Sequence, residues 1–182
     1  MQKSKGFFSA VVMVVTLAMV ACASTRTQKS AGEQVDDSVT TGRVKAALIA
    51  DPVTKAHQID VETFKGTVQL NGFVDTSASK ERASEVAKST KGVTAVRNNL
   101  TVKTTERSGE QTVDDGAITA KVKSALAGDP RTKAHQINIE TREGVVQLSG
   151  FVDNSEAKST AEELARAVDN VKSVDNELDV KK

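Results

Sequence analysis

Aromatic residues are nearly missing from this chain: there is no Trp, no Tyr and only five Phe in 182 residues. A core must therefore be built from Val, Leu, Ile and Ala, and a small unit with so thin a core gains from packing against another unit. There is one cysteine, so no disulfide within the chain can brace the fold. Net charge is +1, which argues against a general nucleic-acid-binding surface, and no nucleic-acid partner is expected. Prolines number two, Pro52 and Pro130, each preceded by Asp. The one long apolar run is Phe7 to Val20.

That run lies behind Lys3 and Lys5 and is about 14 residues long, too short to span a bilayer but right for the hydrophobic region of an export signal. It ends in Leu17-Ala18-Met19-Val20-Ala21-Cys22, a small residue followed by the sole cysteine. This resembles a bacterial lipobox, in which the thiol is diacylated and becomes the mature N-terminus. The expected organisation is a signal peptide over 1–21 and a lipidated, polar, flexible tether over 22–34. Ordinary cleavage after Ala21 or Ala23, giving a soluble periplasmic form, and an uncleaved anchor are the alternatives.

What the chain does have is a duplication. Asp51-Pro52 returns as Asp129-Pro130, Lys55-Ala56-His57-Gln58-Ile59 as Lys133-Ala134-His135-Gln136-Ile137, and Gly72-Phe73-Val74-Asp75 as Gly150-Phe151-Val152-Asp153. The offset is about 78 residues throughout, without insertion. It divides the chain into a first module over 35–103, a polar linker over 104–112 and a second module over 113–182.

Each module opens with an amphipathic helix. In the second, Ile118, Val122, Ala125 and Leu126 share one face; in the first, Val39 or Thr40 is followed by Val44, Ala47 and Leu48. Asp36-Asp37 and Asp114-Asp115 are suited to capping these helices, and Asp-Pro stops them. Two alternating strands follow, joined by turns at Lys65-Gly66 and Glu143-Gly144, so each pair reads as a hairpin. Gly72 and Gly150 fall inside a strand pattern, where glycine marks a bulge or the close approach of another element. Ser77 and Ser155 are suited to cap a second helix, which carries small apolar residues such as Ala83, Ala87, Ala161 and Ala165 and ends near Gly92 or Asn170. A last strand carries Val96, Leu100 and Val102, or Val174, Leu178 and Val180. The expected fold is α+β: two tandem units, each α-β-β-α-β, with a three-stranded sheet covered on one face by two helices.

These residues resemble the BON family of small bacterial envelope modules. The likeness rests on Gly66-Thr67-Val68-Gln69-Leu70-Asn71-Gly72-Phe73-Val74 and on Gly144-Val145-Val146-Gln147-Leu148-Ser149-Gly150-Phe151-Val152. It extends to both opening helices and both closing strands. It implies an envelope-maintenance or osmotic-stress protein without catalysis, whose modules contact phospholipid or envelope proteins. For soluble relatives it implies chaperone-like action on unfolded or partner proteins, for which Phe73 and Phe151 on an open sheet face are possible anchors. It also implies outer-membrane anchoring through Cys22, facing the periplasm. In lipoprotein members the opening helix of the second module contacts anionic phospholipid; here that maps to residues 117–127, with Lys121 and Lys123 as its cations and Arg131 and Lys133 nearby.

Charge alone points the other way. Residues 113–182 hold thirteen acidic and ten basic side chains, and residues 35–103 hold eight and ten, so it is the first module that is net basic. His57 and His135 occupy equivalent positions, but neither has a second histidine or cysteine nearby, so a strand-entry hydrogen bond is the expected role. The glycines lack the ending of a phosphate loop. No catalytic arrangement, cofactor or metal site is expected.

Overall fold

The computed structural model describes residues 31–54, 58–103 and 109–182. The first module runs α1 (Ala31–Ala50), β1 (Ile59–Phe64), β2 (Thr67–Val74), α2 (Ser77–Ser89), β3 (Ala95–Asn98) and β4 (Thr101–Val102). The second runs α3 (Gly109–Gly128), a single 3-10 turn (Ala134–Gln136), β5 (Ile137–Arg142), β6 (Val145–Val152), α4 (Ser155–Arg166) and β7 (Ser173–Val180). In both modules the hairpin is antiparallel and the last strand joins its second strand in parallel, so β2 and β6 are central. This is the expected α-β-β-α-β unit, twice, with the last strand of the first module broken at Asn99–Leu100 into β3 and β4.

The opening helices begin earlier than the repeat suggests, at Ala31 and Gly109, and this changes the role of the paired aspartates. Asp37 and Asp115 lie well inside their helices rather than at the N-cap position. Each carboxylate reaches the hairpin turn instead. Asp37 accepts from the Lys65 and Gly66 amides at 2.8 and 2.9 Å, and Asp115 from those of Glu143 and Gly144 at 2.9 and 2.9 Å. Both turn residues have positive φ in each module, the pattern of a type I′ hairpin, which leaves two adjacent amides pointing at one acceptor. Thr41 to Thr63 and Thr119 to Thr141 hydroxyl bonds, both 2.7 Å, fasten the same helices to the first strands.

The second helices are capped one residue before the expected serines, by Thr76 and Asn154, whose side chains accept from the third residue on. Ala83, Ala87, Ala161 and Ala165 are fully buried, so these helices lie close to the sheets. Two separate apolar cores result. One gathers Val44, Leu48, Val61, Val68, Leu70 and Leu100; the other gathers Val122, Leu126, Ile139, Val146, Leu148 and Leu178.

The sheet faces turned away from the helices meet each other. Along β2, Val68, Leu70 and Val74 face the helices while Gln69 and Asn71, both 0% exposed, are polar and equally buried. Gln69 Oε1 accepts from the Gly150 amide at 3.0 Å, and Gln147 Oε1 accepts from the Gly72 amide at 2.7 Å. Gln69 Nε2 donates to the Glu177 carbonyl at 3.3 Å, and Gln147 Nε2 to that of Asn99 at 2.8 Å. Every partner is offset by the repeat length, so the contact has the self-complementary form of a two-fold dimer built inside one chain. Phe64 stacks on Phe151 with ring centroids 5.2 Å apart. Phe73 lines a hollow of about 250 Å³ with Arg142, the residue equivalent to Phe64. The sheet face is therefore covered, and Phe73 and Phe151 are engaged between the modules.

Candidate functional site

Gly72 and Gly150 are where this docking constrains the backbone. Their φ values are +110° and +121°, and a Cβ on either would lie 2.3 Å from the carbonyl oxygen of Gln58 or Gln136. Glycine lets the central strand approach the strand-entry segment while its amide turns toward the other module's glutamine. Gly66 and Gly144 serve the turns, at φ +74° and +80°. Gly66 and Gly144 each also line a surface hollow.

The first hollow, about 420 Å³, lies where α1, the β1–β2 turn and the loop before β3 converge. Asp37 pins the turn to α1, which brings Lys65 beside Arg43, and Gly92 brings Lys91 to the same place. Lys65 also donates to the Lys182 backbone oxygen at 3.1 Å. Three cations thus face Asp36 and the amide-bound Asp37. The equivalent hollow of the second module, about 310 Å³, is lined by Asp114, Asp115, Glu143 and one cation, Lys172. The duplicated geometry carries opposite charge.

The cations expected to contact phospholipid are split by the structure into two kinds. Lys121 and Lys123 are exposed on α3, on either side of buried Val122, and make no ion pair among the described residues. Arg131 and Lys133 lie in the loop after α3 and are held by carboxylates. Arg131 clasps Asp129 through Nε at 3.0 Å and Nη2 at 2.6 Å, which holds the Asp129 carboxyl down at about 2. Lys133 reaches Asp153 at 2.5 Å and Lys181 joins it at 2.6 Å, so Asp153 is likewise held at about 2. Cys22 and His57 lie outside the described residues; His135 is exposed in the 3-10 turn. Among the described residues no cluster of three metal-ligating side chains occurs, and no helix is long and apolar enough to cross a membrane.

Lys65 and Lys91, which join Arg43 (the first-module counterpart of Lys121) around the first hollow, are what sequence reasoning missed. Their signal was present in the repeat itself, where Lys65 and Lys91 align with Glu143 and Asp169. Reading charge by module rather than by aligned position hid it.

The model of the BON domain matches residues 36–104 and 114–182. The chain is 42% identical over 151 residues to osmotically-inducible protein Y of Escherichia coli, covering 82% of this chain and 75% of that protein. It is 33% identical over 147 residues to outer membrane lipoprotein DolP of Haemophilus influenzae, covering 80% and 75%. It is 34% identical over 148 residues to a 21 kDa hemolysin of Actinobacillus pleuropneumoniae, with the same coverage.

Proposed function

Since the chain belongs to the BON family and carries two copies of its domain, we propose that it is a non-enzymatic envelope-maintenance protein, anchored to the outer membrane through Cys22, whose modules contact anionic phospholipid. The observation that carries this reading is the joint likeness to an osmotically inducible protein and an outer membrane lipoprotein across four-fifths of the chain. It is supported by Ala21-Cys22 closing an apolar run, and none of the three relatives is named for an enzymatic activity. Of the four cations expected to contact lipid, Lys121 and Lys123 are the two that no carboxylate holds among the described residues, which makes them the second-module candidates. Arg131 and Lys133 contribute less, because Asp129 and Asp153 already neutralise them. The chaperone-like alternative would need an open sheet face, which the modules use on each other.

The test is membrane fractionation with palmitate labelling of the wild-type chain and of Cys22→Ala. Wild type should label and sediment with outer membranes, and Cys22→Ala should lose the label and appear in the soluble fraction. Unchanged labelling and partitioning in Cys22→Ala would remove the anchored reading.

A further inference from the structure

The exposed large apolar side chains of the described residues all belong to one place: Val35, Val39 and Ile49 on α1, and Val53 just past its end, 63%, 43%, 73% and 44% exposed. With Gly42 and Ala46 they follow the spacing four, three, four, three, four, which is a single stripe along a helix. Opposite it, Thr40, Val44 and Leu48 fill the core. α1 is therefore apolar on two faces, and only one of them is buried among the described residues. Arg43 and Lys45 sit at the two borders between these faces; Lys45 is paired with Asp60 at 3.4 Å, and Arg43 opens directly into the cationic hollow with Lys65 and Lys91.

We infer that this stripe and the adjoining hollow form the chain's docking face for an anionic bilayer surface, with Val39 and Ile49 in the interfacial layer and lipid phosphates held among Arg43, Lys65 and Lys91. The inference rests on the proposed lipid contact and assigns it to the first module. The pattern is that of an interfacial amphipathic helix, an apolar line bordered by cations that reach headgroups. Charge selects the occupant. Two copies crossing on this stripe would bring the Arg43 side chains of each onto the other near Gly42, like charges meeting at the contact, whereas an anionic surface complements them. The second module supplies an internal control. There Val39, Ile49 and Val53 are replaced by Ala117, Ala127 and Arg131, and Lys65 and Lys91 by Glu143 and Asp169, on the same backbone. Module two keeps the shape and, in Lys121 and Lys123, the two helix cations, but it lacks the apolar line and the cations Lys65 and Lys91 of the hollow.

The experiment transplants second-module residues into the first. Residues 23–182, which contain every described element, are floated with phosphatidylglycerol-containing vesicles and with neutral phosphatidylcholine vesicles. The compared chains are wild type, Val39→Ala with Ile49→Ala, Lys65→Glu with Lys91→Asp, and Lys121→Glu with Lys123→Glu. The replaced positions are exposed, and Glu143 already holds the backbone conformation required at Lys65, so melting curves serve as the folding control. Each cation near an anionic surface contributes roughly fivefold to partitioning, so reversing two should lower binding by at least about tenfold. The apolar pair should lower it comparably, and the Lys121 and Lys123 pair should change it less than about threefold. Loss confined to the Lys121 and Lys123 variant would overturn the inference while leaving lipid contact in place. Binding by no chain to either vesicle would remove lipid contact itself. Concentration-dependent dimers abolished by Val39→Ala with Ile49→Ala would assign the stripe to a second copy and equally overturn the inference.

Discussion

Replacing Gln147 tests whether the two modules form one body. Its side chain is 2% exposed and makes two bonds across the interface, accepting from Gly72 N–H at 2.7 Å and donating to the Asn99 carbonyl at 2.8 Å. In Gln147→Leu the volume is nearly retained, but the buried Gly72 amide loses its acceptor and cannot reach water. An orphaned buried donor costs about 1–3 kcal/mol, and the stranded Asn99 carbonyl adds about 1 kcal/mol. Gln147→Ala adds a cavity on top, for a total of about 3–5 kcal/mol. Against a usual stability of about 5–15 kcal/mol, either change should lower the urea midpoint markedly. The more specific readout is amide exchange. Gly72 N–H should exchange faster in Gln147→Leu, and Gly150 N–H, held by Gln69 at 3.0 Å, should follow because undocking exposes both. A Gln147→Leu chain as stable as wild type, with Gly72 exchange unchanged, would refute the reasoning. It would mean that the glutamine bonds are exchanged for water at no cost and that docking does not depend on them.

Gly150→Ala should destabilise by more than about 2 kcal/mol in denaturant melts, since its φ of +121° and a Cβ placed 2.3 Å from the Gln136 carbonyl leave no room for relaxation. Asp115→Ala removes both acceptors of the Glu143–Gly144 turn amides and should cost about 2–4 kcal/mol by the same assay, although sequence patterning alone would treat the residue as a helix cap. Asp153 gives a pH signature. Its carboxyl is depressed to about 2, chiefly by Lys133 and then by Lys181, so its contribution is full above the ordinary aspartate value of 3.8 and is lost as pH falls toward 2. Melting temperature of Asp153→Asn should therefore fall less steeply than that of wild type between about pH 4 and about pH 2; parallel curves would contradict the ion-pair assignment.

The fold was legible because its information is local and stated twice. Alternation in Ile59–Val61–Thr63 and Ile137–Ile139–Thr141, the paired turn glycines and the Asp-Pro stops each specify an element without reference to anything distant. Docking of the modules was only half legible. Gln69 and Gln147 alternate with Val68, Leu70, Val146 and Leu148 as a solvent-facing polar row would, and nothing in a strand pattern tells a glutamine bonded to a distant amide from one bonded to water. Asp37 and Asp115 were misread for a related reason: a capping aspartate and one aimed at a turn 28 residues away look alike in sequence. On α1, Val39 and Thr40 compete for the inward position. The structure buries Thr40 against the Gly92 loop and leaves Val39 outside, a choice set by tertiary packing rather than hydropathy. Ile49 gives no separate signal in the sequence, because the stripe through Val44 and Leu48 already accounts for a one-sided helix.

The most direct test of the account is to ask which opening helix enters the lipid interface. With residues 1–22 removed the chain holds no thiol, so single cysteines placed at Ala46→Cys and at the equivalent Ser124→Cys can carry an environment-sensitive fluorophore. Both positions are exposed on equivalent helix faces. On addition of phosphatidylglycerol-containing vesicles, the account predicts a blue shift and protection from aqueous quencher at position 46, with position 124 unchanged. A shift at position 124 with none at 46 would contradict it.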